Sequence, residues 1–314
     1  MDKIWFGLHD PISGVDFKKI EEMALAAEKH GFDIVTVIDH FLDVGFGWGP
    51  PLESWTTLAG LAAVTSKIRI GPLVSCYAYR RPTVLAKMAA TIDAISHGRF
   101  VLGIGAGNNE EEFTSYLGKY PSSRERLMGL EDTIRICQSM FTEEVTSYSG
   151  KVYNIENVRN GLTPIQEKIP LLIGGGGEKV TFNIVAKYAD ISHFNPWFTE
   201  DIVDRKLQAL KKHCNSLGRN YDEIRKGIGF SVLICPSKSD VEPNRKRLAK
   251  ILGVEIDSPR MNVEILQIGT TDEIAEVFTH YIDKGFSFFG LTIIPYNTPE
   301  QIEILSKDII SQVR

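Results

Sequence analysis

The chain has 314 residues, with 35 Lys and Arg against 40 Asp and Glu, for a formal charge of −5. At 43% apolar and 24% charged residues it has the composition of a globular protein, which excludes the disordered and fibrous classes. Its scattered Lys and Arg offer no basic face for nucleic acid, and no apolar run approaches the roughly 18 residues of a membrane span, so neither partner is expected.

Cys76, Cys137, Cys214 and Cys235 are far apart and form no Cys-x-x-Cys pair, so neither a metal site nor a disulfide framework is expected. Reduced cysteines and an N-terminus without a basic-then-apolar signal fit a cytoplasmic protein.

Short apolar or β-branched runs alternate with longer segments whose apolar residues recur at helical spacing. A first strand is predicted at 4–8. The helix after it has Asp16 as N-cap, Phe17, Ile20, Ala24 and Ala27 on one face, and Gly31 placed to end it. Strands at 34–38 and 68–74 follow; the second leads to a helix opened by Pro82, striped by Leu85, Met88, Ile92 and Ile95, and closed by Gly98. A fourth strand covers 100–104. Ser122 and Glu125 form a capping box ahead of the stripe Leu127, Leu130, Ile134, Cys137 and Phe141. Residues 145–167 read as an irregular insertion with a hairpin around Ser149-Gly150. Further strands at 169–173, 190–194, 228–234 and 287–294 bring the total to eight. Helices among them pass through Val180, Ile184 and Tyr188, cover 202–217, and run from a capping box at Thr270 and Glu273 to Gly285; a last one starts at Thr298-Pro299.

Eight strands that mostly alternate with helices fit a closed (β/α)8 TIM barrel or an open doubly wound sheet. The barrel is preferred, because one closed sheet accounts for the length and no Pro-, Gly- or Ser-rich linker divides the chain. The expectation is one TIM-barrel domain over 1–314 with rim insertions. The long segments 41–55, 108–122, 145–167 and 235–268 mostly follow strands, on the face where barrel active sites are built.

Asp39-His40 comes directly after the strand at 34–38, beside that face. A histidine there can exchange a proton near neutral pH, and a neighbouring carboxylate can orient it or bind a cofactor donor; the plainer alternative is a polar pair ending a strand. Gly103-Ile104-Gly105-Ala106-Gly107 is followed by Asn108 and lacks the third glycine of a dinucleotide fingerprint, so these glycines read as letting backbone cross the barrel rim. Gly174, Gly175, Gly176 and Gly177 link a strand to a helix. Exposed amides and a positive helix end there would attract a phosphate, and a tight turn alone needs only one glycine. Glu178-Lys179 stands where a Walker loop has Gly-Lys.

His9 and His193 end strands and either face one cavity or serve as hydrogen-bonded core residues. Trp48, Trp55 and Trp197 lie in or near rim segments, placed to stack on a flat ring or to pack. The cluster Arg245, Lys246, Arg247 and Lys250 reads as a solvated helix face.

Three stretches taken together resemble the luciferase-like monooxygenase superfamily: residues 37–41, 97–107 and 170–179. The last, continuing to Ala189-Asp190, is most similar to the branch that uses the deazaflavin coenzyme F420. The resemblance implies a TIM barrel, a homodimer, and a flat tricyclic ring in the barrel mouth with its phosphate-bearing tail on Gly174 to Gly177 and Glu178. It implies further that Asp39 and His40 lie near the ring, that Leu73 and Val74 form a bulge behind it, and that Asn108 borders it. The sugar-phosphate-oxidising relative has tryptophan and glutamate where Val44 and Asn108 stand, which points away from that substrate; many relatives carry tryptophan at Asn108, so this pocket is expected to be more polar. Glu112 and Arg126 keep matching positions.

A deazaflavin has carbon where a flavin has the nitrogen used in oxygen chemistry, so it suits hydride transfer. The leading expectation is hydride exchange between F420 and a small organic substrate, with His40 as acid/base and Asp39 orienting it or touching the coenzyme. The alternatives are an FMN-dependent monooxygenase and a non-catalytic flavin-binding barrel.

Overall fold

The computed structural model describes residues 3–10, 12–43, 49–159, 161–194, 200–258, 261, 265–294 and 298–314. The first half of the chain forms β1 (Trp5–His9), α1 (Phe17–Lys29), β2 (Ile34–Val37), α2 (Ser54–Val64), β3 (Arg69–Pro72), β4 (Ser75–Cys76), α3 (Pro82–Ile95), β5 (Leu102–Gly105), α4 (Glu110–Leu117) and α5 (Ser123–Thr142). The second half forms the hairpin β6 (Val145–Ser149) and β7 (Asn154–Arg159), then β8 (Leu171–Gly174), α6 (Thr181–Tyr188), β9 (Ile191–Phe194), α7 (Glu200–Leu217), β10 (Arg225–Ile234), α8 (Val241–Ile251), β11 (Leu266–Gly269), α9 (Thr271–Asp283), β12 (Phe286–Ile293) and α10 (Pro299–Ile304).

The predicted caps do their work. Asp16 accepts from the Lys19 amide at 2.9 Å, and both capping boxes, Ser122 with Glu125 and Thr270 with Glu273, close reciprocally. Gly31 leaves α1 with φ at +76°, a region where a Cβ is unfavourable.

The parallel strands run in the order β3-β2-β1-β12-β10-β9-β8-β5-β4. β3 and β4 are consecutive in the chain, joined through Leu73 and a cis Leu73-Val74 peptide. Ile70 on β3 also bridges Phe100, with the Val101 amide donating to the Ile70 carbonyl at 2.9 Å. The sheet thereby closes, and β3 with β4 counts as one of eight staves. This is the (β/α)8 TIM barrel.

Four expectations need correction. The strand at 68–74 is broken by the bulge. Residues 235–268 are not one loop: they hold α8 and β11, which among the described residues pairs with Ser231 to Ile234 at the rim. Part of 108–122 is α4, and α2 went unpredicted because its residues are apolar nearly all round and show no stripe to read. Gly60 of α2 packs so closely on Phe17 that a Cβ would lie 2.6 Å from its ring.

Ile34, Leu73, Val101, Leu172, Ile191 and Phe288 fill the barrel interior. Below them Trp5 is held between the Arg69 and Arg225 guanidiniums, 4.4 and 4.5 Å from its ring. A larger apolar layer joins the sheet to the helices. Arg99, in the His-Gly-Arg stretch, is structural: it donates to the Ala62 carbonyl in the last turn of α2 and to the Thr65 and Ile68 carbonyls just past it.

The glycines of 103–105 and 174 are spacers around the bulge. A Cβ on Gly103 would lie 1.9 Å from the Pro72 carbonyl oxygen, and Cβ atoms on Gly105 and Gly174 would lie 2.7 and 2.8 Å from Val74 methyls. Backbone cannot yield as a side chain can. Gly103→Ala is therefore expected to give no soluble folded protein, whereas Gly253→Ala, at φ +64° with open space around it, should cost only about 1–2 kcal/mol. Equal urea midpoints for the two variants would contradict this account of the bulge.

Candidate active site

Because the barrel strands are parallel, their C-terminal ends share one face, and His9, His40, Gly175 and His193 gather there. His40 follows β2, and its Nδ1 lies 2.8 Å from Glu112 Oε2 on α4. Glu112 is fully buried. Its Oε1 accepts the amides of Phe41 and Leu42 at 2.7 and 3.0 Å, and its Oε2 also accepts the Tyr79 hydroxyl at 2.6 Å. Burial pushes the Glu112 carboxyl up, but the bonds from His40, Tyr79 and the Leu42 amide outweigh it and hold it at about 2. An ionised carboxylate only accepts, so His40 donates from Nδ1 and keeps the Nε2 lone pair for a proton. The ring stays 26% exposed.

The expectation that Asp39 orients His40 is corrected by this geometry. Asp39 is buried and takes both Arg80 guanidinium nitrogens at 2.7 and 3.0 Å, the Ser75 hydroxyl at 2.7 Å and the Cys76 amide at 3.2 Å. Its bonds among the described residues all run to the β4 segment and none to His40. Arg80 also pairs with Glu53, the cap of α2. Asp39 thus ties β2 to the segment that follows the bulge.

Trp55 does not reach the rim face either. It is 1% exposed, donates to the Ser75 hydroxyl at 3.1 Å, and packs on Phe100. Trp48, Trp197 and Val44 lie outside the described residues. An aromatic wall comes instead from Phe41, whose ring centroid is 4.4 Å from Tyr116 and 4.7 Å from Tyr79.

Asp10, which the sequence did not flag, follows β1. Burial raises its carboxyl to about 7, against hydrogen bonds from the Ser13 hydroxyl at 3.0 and 3.2 Å and the charge of His40. Asp-x-x-Ser was its one local signal; burial is a tertiary property.

The glycine run divides in two. Gly174 ends β8 as a spacer for Val74, and Gly175, at φ +132°, donates to the His193 carbonyl at 2.9 Å. Among the described residues the amides of Gly176, Gly177, Glu178 and Lys179 donate to no acceptor, and no side chain caps α6. Lys206 of α7 grips the Gly176 carbonyl from beneath. The Glu178 carboxylate pairs with Arg205 at 3.0 Å, which leaves its amide as the group placed to serve a phosphate in the row. Asn108 is exposed, its carbonyl accepting from Tyr120 at 3.4 Å. Arg126 lies over the Tyr120 ring at 4.3 Å.

His9 and His193 lie near one another, a Cβ on Gly290 being 3.5 Å from His193 Nε2 and 4.0 Å from His9 Cβ, and His9 has the hydrogen bond to Thr36 expected of a core residue. Burial lowers His9 to about 4; burial, then the charge of His9, lowers His193 to about 3. Both values lie below the unfolded one near 6.5, so the unfolded chain binds protons first on acidification. Stability is then complete above pH 6.5 and falls as the pH drops from there toward 3, by about 2 kcal/mol per histidine at pH 5. Asp10 has the opposite sign but is common to both proteins in a comparison. Between pH 7.5 and 5, His193→Phe should therefore lose about 2 kcal/mol less urea stability than the unaltered protein; equal losses would mean that His193 is not held neutral.

The sequence profile of the luciferase-like monooxygenase family matches residues 4–281. The F420-dependent glucose-6-phosphate dehydrogenase of Gordonia bronchialis is 30% identical, with 95% of this chain and 94% of that one aligned. The F420-dependent glucose-6-phosphate dehydrogenase 2 of Rhodococcus jostii is 33% identical over the same shares. In fold, an F420-dependent secondary alcohol dehydrogenase, solved with an F420-acetone adduct, superposes with a TM-score of 0.85 at 19% identity over 99% of both chains. A profile match over most of its length, on a barrel whose strand ends carry the family's Asp-His pair, bulge and glycine turn, means that this chain belongs to the luciferase-like monooxygenase family.

Proposed function

We propose that the protein is an F420-dependent oxidoreductase that exchanges a hydride between the coenzyme and a small organic substrate. The observation that carries this reading is the row of amides at 176–179 with no acceptor among the described residues, next to the start of α6 and on the same face as His40. Such a row fits a phosphate: it offers several donors, the positive end of a helix, and no side-chain cap in the way. Relatives named for F420 dependence over nearly the full length support the choice of coenzyme.

Bound there, a deazaflavin supplies a carbon centre that takes or gives a hydride. Gly176, Gly177, Glu178 and Lys179 would hold its tail phosphate through their amides. Leu73 and Val74 would back the ring, and the wall of Phe41, Tyr79 and Tyr116 would border one side of the mouth. His40 Nε2 accepts the proton of a substrate hydroxyl during oxidation, or returns it to a carbonyl in the reverse direction. The imidazolium that results is stabilised by ionised Glu112. Glucose 6-phosphate is the first compound to assay, given the relatives; a neutral Asn108 at the position of that branch's glutamate favours a different substrate.

Fluorescence titration with F420 tests the reading. Saturable quenching is expected, with binding weakened about 100-fold in Gly177→Asp, where a carboxylate would face the phosphate. No saturable change with F420, or tight binding of FMN in its place, would overturn it.

A further inference from the structure

Two histidines on the floor of the mouth have no part in that scheme. His9 ends β1, and its Nδ1 lies 3.0 Å from the hydroxyl of Thr36, its register partner on β2. His193 comes from β9, with β10 and β12 between the two strands, and Gly227 and Gly290 on those strands let the rings pack close to the backbone. A Cβ on Gly290 would lie 3.5 Å from His193 Nε2, 3.4 Å from a Leu73 methyl and 4.0 Å from His9 Cβ. His193 is 6% exposed, and its Nε2 has no hydrogen-bond partner among the described residues. Buried polar atoms are seldom left so; an orphan of this kind marks a place for a ligand or an ordered water. It also sits beside the glycine turn: His193 pairs with Gly174 in register, and its carbonyl takes the Gly175 amide.

We propose that His193 and His9 form a hydrogen-bonding floor that receives one uncharged polar group, a carbonyl, hydroxyl or ring N–H, from the molecule bound in the mouth. That group comes from the polar edge of the coenzyme ring or from the substrate, so the inference rests on the F420 reading above. With His9 Nδ1 engaged by Thr36 and the His193 ring also bonded to the Ile228 backbone, each neutral imidazole has one nitrogen left, a donor or an acceptor according to its tautomer, which suits such a group. Burial keeps both rings neutral, and a charge brought against them would lose its hydration without gaining a counter-charge. The floor therefore rejects a phosphate and leaves that group to the turn at 176–179.

The test is NMR of protein labelled with 15N-histidine, the His193 signals assigned by their loss in His193→Phe, with coenzyme fluorescence read on the same sample. If the ring edge is the source, oxidised F420 alone shifts the His193 Nε2 resonance, and His193→Phe, which keeps a ring against Phe288, binds F420 about tenfold more weakly. If the substrate is the source, the resonance stays still with F420 and moves when propan-2-ol is added in excess. Fluorescence that reports F420 binding while the resonance stays still in both arms overturns the floor, leaving an ordered water only, and does not touch the coenzyme assignment. No F420 binding at all overturns both. If His193→Phe fails to fold, assignment passes to His193→Gln and the shifts of the unaltered protein still decide.

Discussion

Replacing His40 by Ala should lower turnover by about 10²- to 10⁴-fold while F420 affinity stays within about threefold, the loss a positioned acid/base group accounts for. The separation of the two effects follows from the geometry. His40 is held through Nδ1 by Glu112, whereas the amides at 176–179 lie in the turn between β8 and α6, on another part of the barrel rim. Glu112→Gln probes the same unit through a positioning residue. Glutamine can still accept the Phe41 and Leu42 amides, but its NH2 would point at His40 Nδ1 and reverse the tautomer, so kcat should fall by about 10²-fold with the coenzyme KM unchanged. Full activity in His40→Ala would remove the proton-transfer scheme. Equal losses in kcat and coenzyme affinity would make His40 a binding residue instead.

Asp39→Ala is expected to act on the fold. It would leave the Arg80 guanidinium, 11% exposed, without its main partner in a buried setting, at a cost of about 3–5 kcal/mol. It would also strand the Cys76 amide and the Ser75 hydroxyl, which Trp55 in turn engages. Urea unfolding should show the full loss. An Asp39→Ala protein with unchanged stability and abolished turnover would return Asp39 to the chemistry, the role that resemblance implies for it.

These two residues also show where sequence reading stopped. Adjacent in the chain, Asp39 and His40 looked like one unit, yet the backbone past β2 sends their side chains to different partners, α4 for His40 and the end of β4 for Asp39. The partner of His40 is 72 residues away, a separation no local pattern encodes. Elements with an apolar stripe and a cap, such as α1, α5 and α9, were legible because both signals are local. α2 lacked a stripe, and β11 is a four-residue rim strand whose Leu-Gln-Ile-Gly carries no distinctive alternation. The glycine run was legible as a turn, but that Gly174 must lack a Cβ to make room for Val74 follows only from a bulge on the neighbouring side of the barrel.

Diffraction from crystals soaked with F420 tests the central claim most directly. Phosphate density is expected within hydrogen-bonding distance of the Gly176, Gly177 and Glu178 amides, with the ring over Leu73 and Val74 on the His40 side of the mouth. Coenzyme density that leaves those amides facing solvent, with the phosphate held elsewhere, would contradict it.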